Sequence, residues 1–403
     1  MRVLINTVPF YGKGAGLRTY TTQLLRALHA SNADMEWHLA LRAEDAERLD
    51  LANDKRFRLT RLSSVAQPPS VPGLRFIWWN MLDQLAVPGS CTPKKYDLIH
   101  YLDSYGPALR TTRVPLVLTV HDIIPLTGEG YYAGWMRRYL ASSMRRTIPG
   151  AVALLAVSDA TAYALEKMLN IPPERIKVVT LGVDERFRPT SERERAAVLQ
   201  RYGITGPYII NVGTIEPRKN LARLVHAFAQ AKRRFNIPHQ LLLAGKPKWK
   251  ADDVTAAIEL ANLGSAIRLL GFVPDEDIAP MIGAADVLAY PSLEEGFGLP
   301  VIEGMACGTP VIASITSPLA ETIGNAALLV DPLNIDAIAV ALGELCMNPQ
   351  RRAAMSAEGL ARAQQFSWSH VADATIETYR HAAGERQPAL ESYRAYDPAR
   401  NAR

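Results

Sequence analysis

The chain has 403 residues, 48% of them hydrophobic and 21% charged, ordinary proportions for a globular protein and a length at which one core usually gives way to two. Its three cysteines, Cys91, Cys307 and Cys346, are scattered and odd in number, which argues against a disulfide framework and for a reducing, cytoplasmic compartment. The net charge of +5 suits an anionic partner without naming one, and the lack of a recognised nucleic-acid-binding module argues against nucleic acid.

The N-terminal MRVLINTVPFYG has too short an apolar run for a signal peptide and reads as a first buried strand. No run is long enough to span a bilayer, so the expectation is a protein that is soluble or sits on a membrane surface. Short apolar runs at 3–5, 37–40, 98–101, 116–120, 152–156 and 176–180 alternate with helical patterns, which means a parallel sheet covered by helices, an α/β fold. The turn after the first strand carries Gly12, Gly14 and Gly16 and opens onto a helix over 17–28. Its spacing is too tight for a dinucleotide fingerprint, and no acidic residue ends the second strand. Gly14 and Gly16 are candidates for offering bare N–H groups to an anion or a sugar, against the plainer reading of a tight turn. Residues 63–95 are irregular and aromatic, an insertion that shapes an acceptor pocket or covers the sheet. His121 and Asp122 end a buried strand, where α/β sheets place ligands. The segment 131–147 mixes Arg137, Arg138, Arg145 and Arg146 with tyrosines and Trp135; it fits an interfacial helix or an ordinary amphipathic one equally. Ser158 reads as a helix N-cap, and the charged stretch 185–206 as the linker between domains.

The second half repeats the pattern, with strands expected at 208–212, 241–244, 267–270, 287–290, 311–313 and 327–330. Gly213 follows the first of these, and Arg218 and Lys219 then sit at the start of a helix whose buried face is Leu221, Leu224, Val225 and Phe228. Cations at a helix N-terminus oppose its dipole, and a bound dianion removes the conflict. Lys246 adds positive potential nearby or is simply solvated. Asp275, Glu276 and Asp277 follow Pro274 at a helix start and read as caps and dipole partners, so no metal is expected.

Chemistry concentrates in YPSLEEGFGLPVIEGMACG, residues 290–308. A strand ends, Gly296 and Gly298 make a loop, and Pro300 suits the first helical position. Backbone N–H groups from Gly296 through Phe297 and Gly298 to Leu299 would face a phosphate, helped by the helix dipole. Glu295 and Glu303 bracket the turn, and carboxylates so close to an anion are tolerable when they accept hydrogen bonds from sugar hydroxyls. Together these describe a nucleotide sugar.

The segment resembles the acidic signature of the retaining glycosyltransferases of family four, and the resemblance runs from Arg2 to about His381. It implies the GT-B fold, two facing Rossmann-like domains with parallel sheets and a cleft between them. The expected division is an acceptor-side domain over 1–187, a donor-side domain over 188–365, a helix over 366–386 crossing back to the first domain, and a disordered tail over 387–403. By similarity Glu295 contacts the transferred sugar, Glu303 the ribose hydroxyls, Phe297 to Pro300 the phosphate and sugar, and Arg218 and Lys219 the diphosphate. The backbone near Phe272 and Val273 meets the nucleobase, Gly14 and Gly16 lie near the donor phosphate, and His121 lies beside the transferred sugar. The implied activity is metal-independent transfer, with retention, from a nucleoside diphosphate sugar to a glycan or lipid-linked glycan. The likeness leans toward the mannosyltransferases of bacterial polysaccharide synthesis and GDP-mannose, acting in the cytoplasm or against the inner membrane face. A nucleotide-sugar epimerase and a non-catalytic nucleotide-sugar binder are the rival readings.

Overall fold

The computed structural model describes residues 1–8, 15–42, 57–62, 85, 87–107, 111–128, 130–248 and 250–384. The chain forms two compact units, one from Met1–Thr127, Gly134–Gly182 and the segment beginning at Trp368, the other chiefly from Val183–Ser367.

In the first unit, β1 (Arg2–Asn6), β2 (Glu36–Arg42), β3 (Phe57–Leu62), β4 (Leu98–Tyr101), β5 (Leu116–Val120), β6 (Ala153–Ala156) and β7 (Ile176–Val178) make one parallel sheet in the order β3-β2-β1-β4-β5-β6-β7. The central strands β4, β5 and β6 are buried along their whole length, as a sheet covered on both faces requires. β3 was not among the expected strands: FRLTRL is rich in charge and sits at the sheet edge, where one neighbour suffices and no continuous apolar run is needed. The helix Asp159–Leu169 begins on Ser158, whose hydroxyl accepts from Thr161 N at 3.1 Å, the expected cap. The helix Trp368–Ala382 packs in this unit, anchored where the Tyr379 hydroxyl meets His100 Nδ1 at 2.6 Å.

The second unit contains β8 (Tyr208–Val212), β9 (Gln240–Ala244), β10 (Ile267–Gly271), β11 (Val287–Tyr290), β12 (Val311–Ser314) and β13 (Leu328–Val330), parallel and ordered β10-β9-β8-β11-β12-β13. The order reverses between β8 and β11, so the chain leaves these neighbours in opposite directions and opens a crevice at their carboxyl ends. The stretch read as a linker is, over Glu192–Tyr202, a helix of this unit, closed by a Ser191–Glu194 capping box and Gly203, with Val198 in the core. Its charge reflects a helix solvated on most of its surface. Gly14, most of the 63–95 insertion and the tail from residue 385 lie outside the described residues. Among the described residues, no helix is long and apolar enough to cross a membrane.

Candidate functional site

The switch point of the second sheet gathers most of the expected residues. After β8 the chain passes Gly213, where an added Cβ would sit 3.7 Å from Lys219 Cε, so this position borders the lysine stem. The Gly213 amide is bonded to Ala244 O at 2.9 Å; what the glycine leaves beside the lysine is room. Gly245 is the tighter requirement, since a Cβ there would lie 1.7 Å from Gly213 O. A short turn, Pro217–Lys219, then leads into the helix Leu221–Phe235, whose Leu221, Leu224, Val225 and Phe228 are buried as expected. Asn220 ties this turn to the loop after β11, donating from Nδ2 to Pro291 O at 3.0 Å and to Pro332 O at 2.6 Å. Leu293 N adds a bond to Arg218 O at 2.7 Å.

The staples bring Glu295 between two cations. Its Oε1 accepts from Lys219 Nζ at 2.6 Å and its Oε2 from Arg218 Nη1 at 2.7 Å. Arg218 also donates to Glu294 O at 3.1 Å and pairs with Glu216 at 2.8 Å, while Lys219 donates to the Tyr290 hydroxyl. From the helix dipole Arg218 and Lys219 read as cations awaiting a dianion; in the structure Glu295 and Glu216 already pair with them. Burial works to raise the Glu295 carboxyl, but the adjacent Arg218 and Lys219 outweigh it and hold it at about 2. Lys219, only 6% exposed, is pushed down to about 8 by burial and by the Arg218 charge, against the pull of Glu295.

Below this cluster in sequence, the helix Leu299–Ala306 starts on Gly298, with Pro300 in its first turn. Among the described residues, no acceptor takes the amide N–H of Gly296, Phe297, Gly298 or Leu299. Four such donors at a helix start are an arrangement able to hold an anion. Phe297 contributes backbone only: its ring is buried 5.8 Å from that of Phe366, and Thr322 Oγ1 donates to its carbonyl at 2.9 Å, so the expected lining role does not extend to its side chain. Gly298 has φ +96°, and a Cβ there would meet Leu319 Cδ2 at 2.2 Å. Gly298→Ala is therefore expected to destabilise the protein by about 1–2 kcal/mol of left-handed strain plus about 1–3 kcal/mol of crowding, read from urea unfolding. Glu303 is buried in the same helix, and its carboxyl is pushed up to about 7 by that burial, with Arg186 opposing the shift and Asp184 and Asp275 adding to it.

Phe272 and Val273 follow β10. Val273 is in the core and offers backbone, whereas the Phe272 ring is 54% exposed and carries the Lys246 ammonium 4.4 Å from its centroid. The acidic triplet opens the helix Asp275–Gly283 as dipole partners, but none makes a cap bond; Asp277 instead pairs with Arg201 and accepts from the Tyr202 hydroxyl at 2.9 Å.

In the first unit His121 follows β5, its Nε2 donating to Leu102 O at 2.9 Å and its backbone N to Ser104 Oγ at 3.1 Å. The edge-on ring of Tyr20 lies 4.6 Å away, and the Tyr20 hydroxyl joins a buried chain through Thr119 and His100 to Tyr379, each link 2.6–2.8 Å. Gly16 is exposed in the first turn of the helix Ala15–Ala30, and Asp122 accepts from Ile124 N at 3.0 Å.

Residues 199–362 match the family described as glycosyl transferases group 1, and residues 14–187 match Glycosyltransferase Family 4. The O-antigen chain mannosyltransferase B of Escherichia coli is 35% identical over 265 residues, covering 66% of this chain and 70% of that protein. The chain belongs to glycosyltransferase family 4. A second relative of this glycosyltransferase, the MMP alpha-(1->4)-mannosyltransferase of Mycolicibacterium hassiacum, is 30% identical over 305 residues, 71% of each chain. HepE of Anabaena, solved with UDP and glucose, superposes with a TM-score of 0.71 over 94% of this chain and 99% of its own at 20% identity, which shows the shared GT-B fold. The enzyme is thus a hexosyltransferase with mannosyltransferase relatives. Sequence reasoning missed four residues of the glycosyltransferase's charge cluster and its supports: Glu216, Asn220, Gly245 and Tyr290. Tyr290 was hidden as one more residue of a buried strand, and Asn220 as a helix-start polar residue.

Proposed function

We propose that this glycosyltransferase moves mannose from GDP-mannose to a hydroxyl of a glycan or lipid-linked glycan, with retention at the anomeric carbon and without a metal ion. One observation carries the reading: Arg218 and Lys219 converge on the same switch point as two buried glutamates and four N–H groups that find no acceptor among the described residues. Cations and amides suit a diphosphate, and Glu295 and Glu303 suit the hydroxyls of sugar and ribose. As the bond between anomeric carbon and diphosphate oxygen breaks, its electron pair moves onto the diphosphate, where the two cations stabilise it. The acceptor oxygen bonds to the same face of the carbon, and its proton passes to a departing phosphate oxygen. The choice of mannose rests on the activities named for the relatives; a uridine nucleotide, as held by HepE, is the first competitor.

The helix Gly134–Thr147 buries Leu140, Ala141 and Met144 and exposes Trp135, Arg138, Arg145 and Arg146. This mixture supports contact with an anionic membrane surface on the cytoplasmic side, where a lipid-linked acceptor would be met.

Thermal-shift measurement against a panel of nucleoside diphosphates is expected to show GDP raising the melting point, since ligand at a hundred times its Kd adds about 2.7 kcal/mol to the folded state. A panel in which no diphosphate shifts the transition would sink the donor assignment. Product analysis separates the rivals: release of nucleoside diphosphate only with acceptor marks a transferase, and an altered sugar from donor alone marks an epimerase.

A further inference from the structure

We propose that Tyr290 is the positioning residue for Lys219, its hydroxyl fixing the ammonium at the strand end so that one N–H is left for the donor diphosphate. The inference rests on the diphosphate reading above. Tyr290 is the last residue of β11 and is fully buried; its hydroxyl accepts from Lys219 Nζ, which also stands 4.7 Å from the ring centroid. An ammonium has three donors. Glu295 takes one at 2.6 Å and Tyr290 a second, leaving the third.

The two acceptors differ in kind. Glu295 lies on a loop and is charged, so an arriving diphosphate competes with it for Lys219 and for Arg218. Tyr290 belongs to a strand hydrogen-bonded to β8 and β12 and cannot follow the loop. Burial, with the Glu295 charge adding to it, keeps the phenol well above its usual range, so the hydroxyl stays neutral beside the lysine. Around Lys219 stand Arg218 and Glu216 from its own turn and Glu295 from the loop, with Glu303 acting on Tyr290 from the following helix. Among these groups Tyr290 is the one neutral support, and it holds the ammonium whether Glu295 or a diphosphate is the counter-charge.

Tyr290→Phe keeps the ring and removes the acceptor. The test is the pH profile of kcat/KM for the variant beside the wild-type enzyme, with thermal melts of both. Because kcat/KM reports the free enzyme, its alkaline limb is expected near the Lys219 value of about 8. Without the hydroxyl the ammonium loses a stabilising partner, so the limb moves to lower pH, and kcat/KM at pH 6.5 falls about three- to tenfold, the worth of one net hydrogen bond. Tyr290→Leu, which removes ring and hydroxyl together, is read alongside: a limb that moves in the leucine variant and not in the phenylalanine variant would assign the support to the ring face and overturn the proposal. So would a phenylalanine variant with an unmoved limb and unchanged kcat/KM. If Lys219→Ala keeps full activity, it is the diphosphate reading that fails; if that variant is inactive while Tyr290→Phe matches wild type, the positioning role alone fails.

Discussion

Lys219→Ala is expected to lower kcat/KM by on the order of a hundredfold or more while leaving a folded protein, because it removes one preorganised donor from the group that receives the leaving electron pair. The structure explains why folding should survive. Lys219 is buried, and deleting one partner of a buried pair ordinarily strands the other charge, at about 3–5 kcal/mol. Here Glu295 keeps Arg218 at 2.7 Å, so its charge stays compensated, and the loss reduces to two hydrogen bonds, to Glu295 and Tyr290, and the packing of the lysine stem, about 1–3 kcal/mol. Steady-state kinetics with saturating acceptor, together with a thermal melt, separates the two effects. A variant with a normal rate would show that the phosphate assignment is wrong, whatever its stability.

The difference between what was legible in the sequence and what was not follows from distance along the chain. Buried parallel strands such as LVLTV, ALLA and VLAY announce themselves because both faces are covered and nearly every position is apolar. The edge strand Phe57–Leu62 lacks that constraint and was invisible. The same logic holds at the site. Gly298, Pro300 and Glu303 are local to one strand-loop-helix passage, so their pattern can be read directly. The Lys219–Glu295 pair spans 76 residues and exists only because β8 and β11 are neighbours in the sheet, a fact of topology. Without it, helix-dipole reasoning singled out Arg218 and Lys219 from an incomplete premise, and Tyr290, although first in the 290–308 segment, showed no sign that it meets Lys219 across the same switch point. The helix Glu192–Tyr202 failed for a different reason: a helix that buries only Val198 leaves the apolar stripe too thin to distinguish from a charged connector.

Glu303→Gln is expected to separate stability from donor binding in opposite directions. The Glu303 carboxyl has an ordinary value of 4.5 and stands at about 7 in the folded protein, raised first by burial. A folded-state value above the unfolded one means that the native protein holds this proton more tightly. The associated stability is fully present below pH 4.5 and is lost as pH rises through 7, in total about 3 kcal/mol at roughly 1.4 kcal/mol per unit. Glutamine carries no charge to bury, so the variant should melt several degrees above wild type at pH 8 and close to it at pH 5. Donor binding runs the other way. An ionised carboxylate can accept from both ribose hydroxyls, so wild-type affinity for the nucleoside diphosphate should strengthen as pH rises from 6 to 8, with proton release on binding at the lower end. Glutamine offers one carbonyl in place of a charged acceptor, a loss at pH 8 of about 1.5–3 kcal/mol, or roughly ten- to a hundredfold in Kd, and it removes the part of the pH dependence that the Glu303 proton supplies while leaving that of Lys219. Calorimetric titrations at pH 6, 7 and 8 decide the matter. Should the wild-type and glutamine-variant Kd values change in parallel across them, Glu303 is a buried acid of the core, and the ribose hydroxyls must be held by some other group.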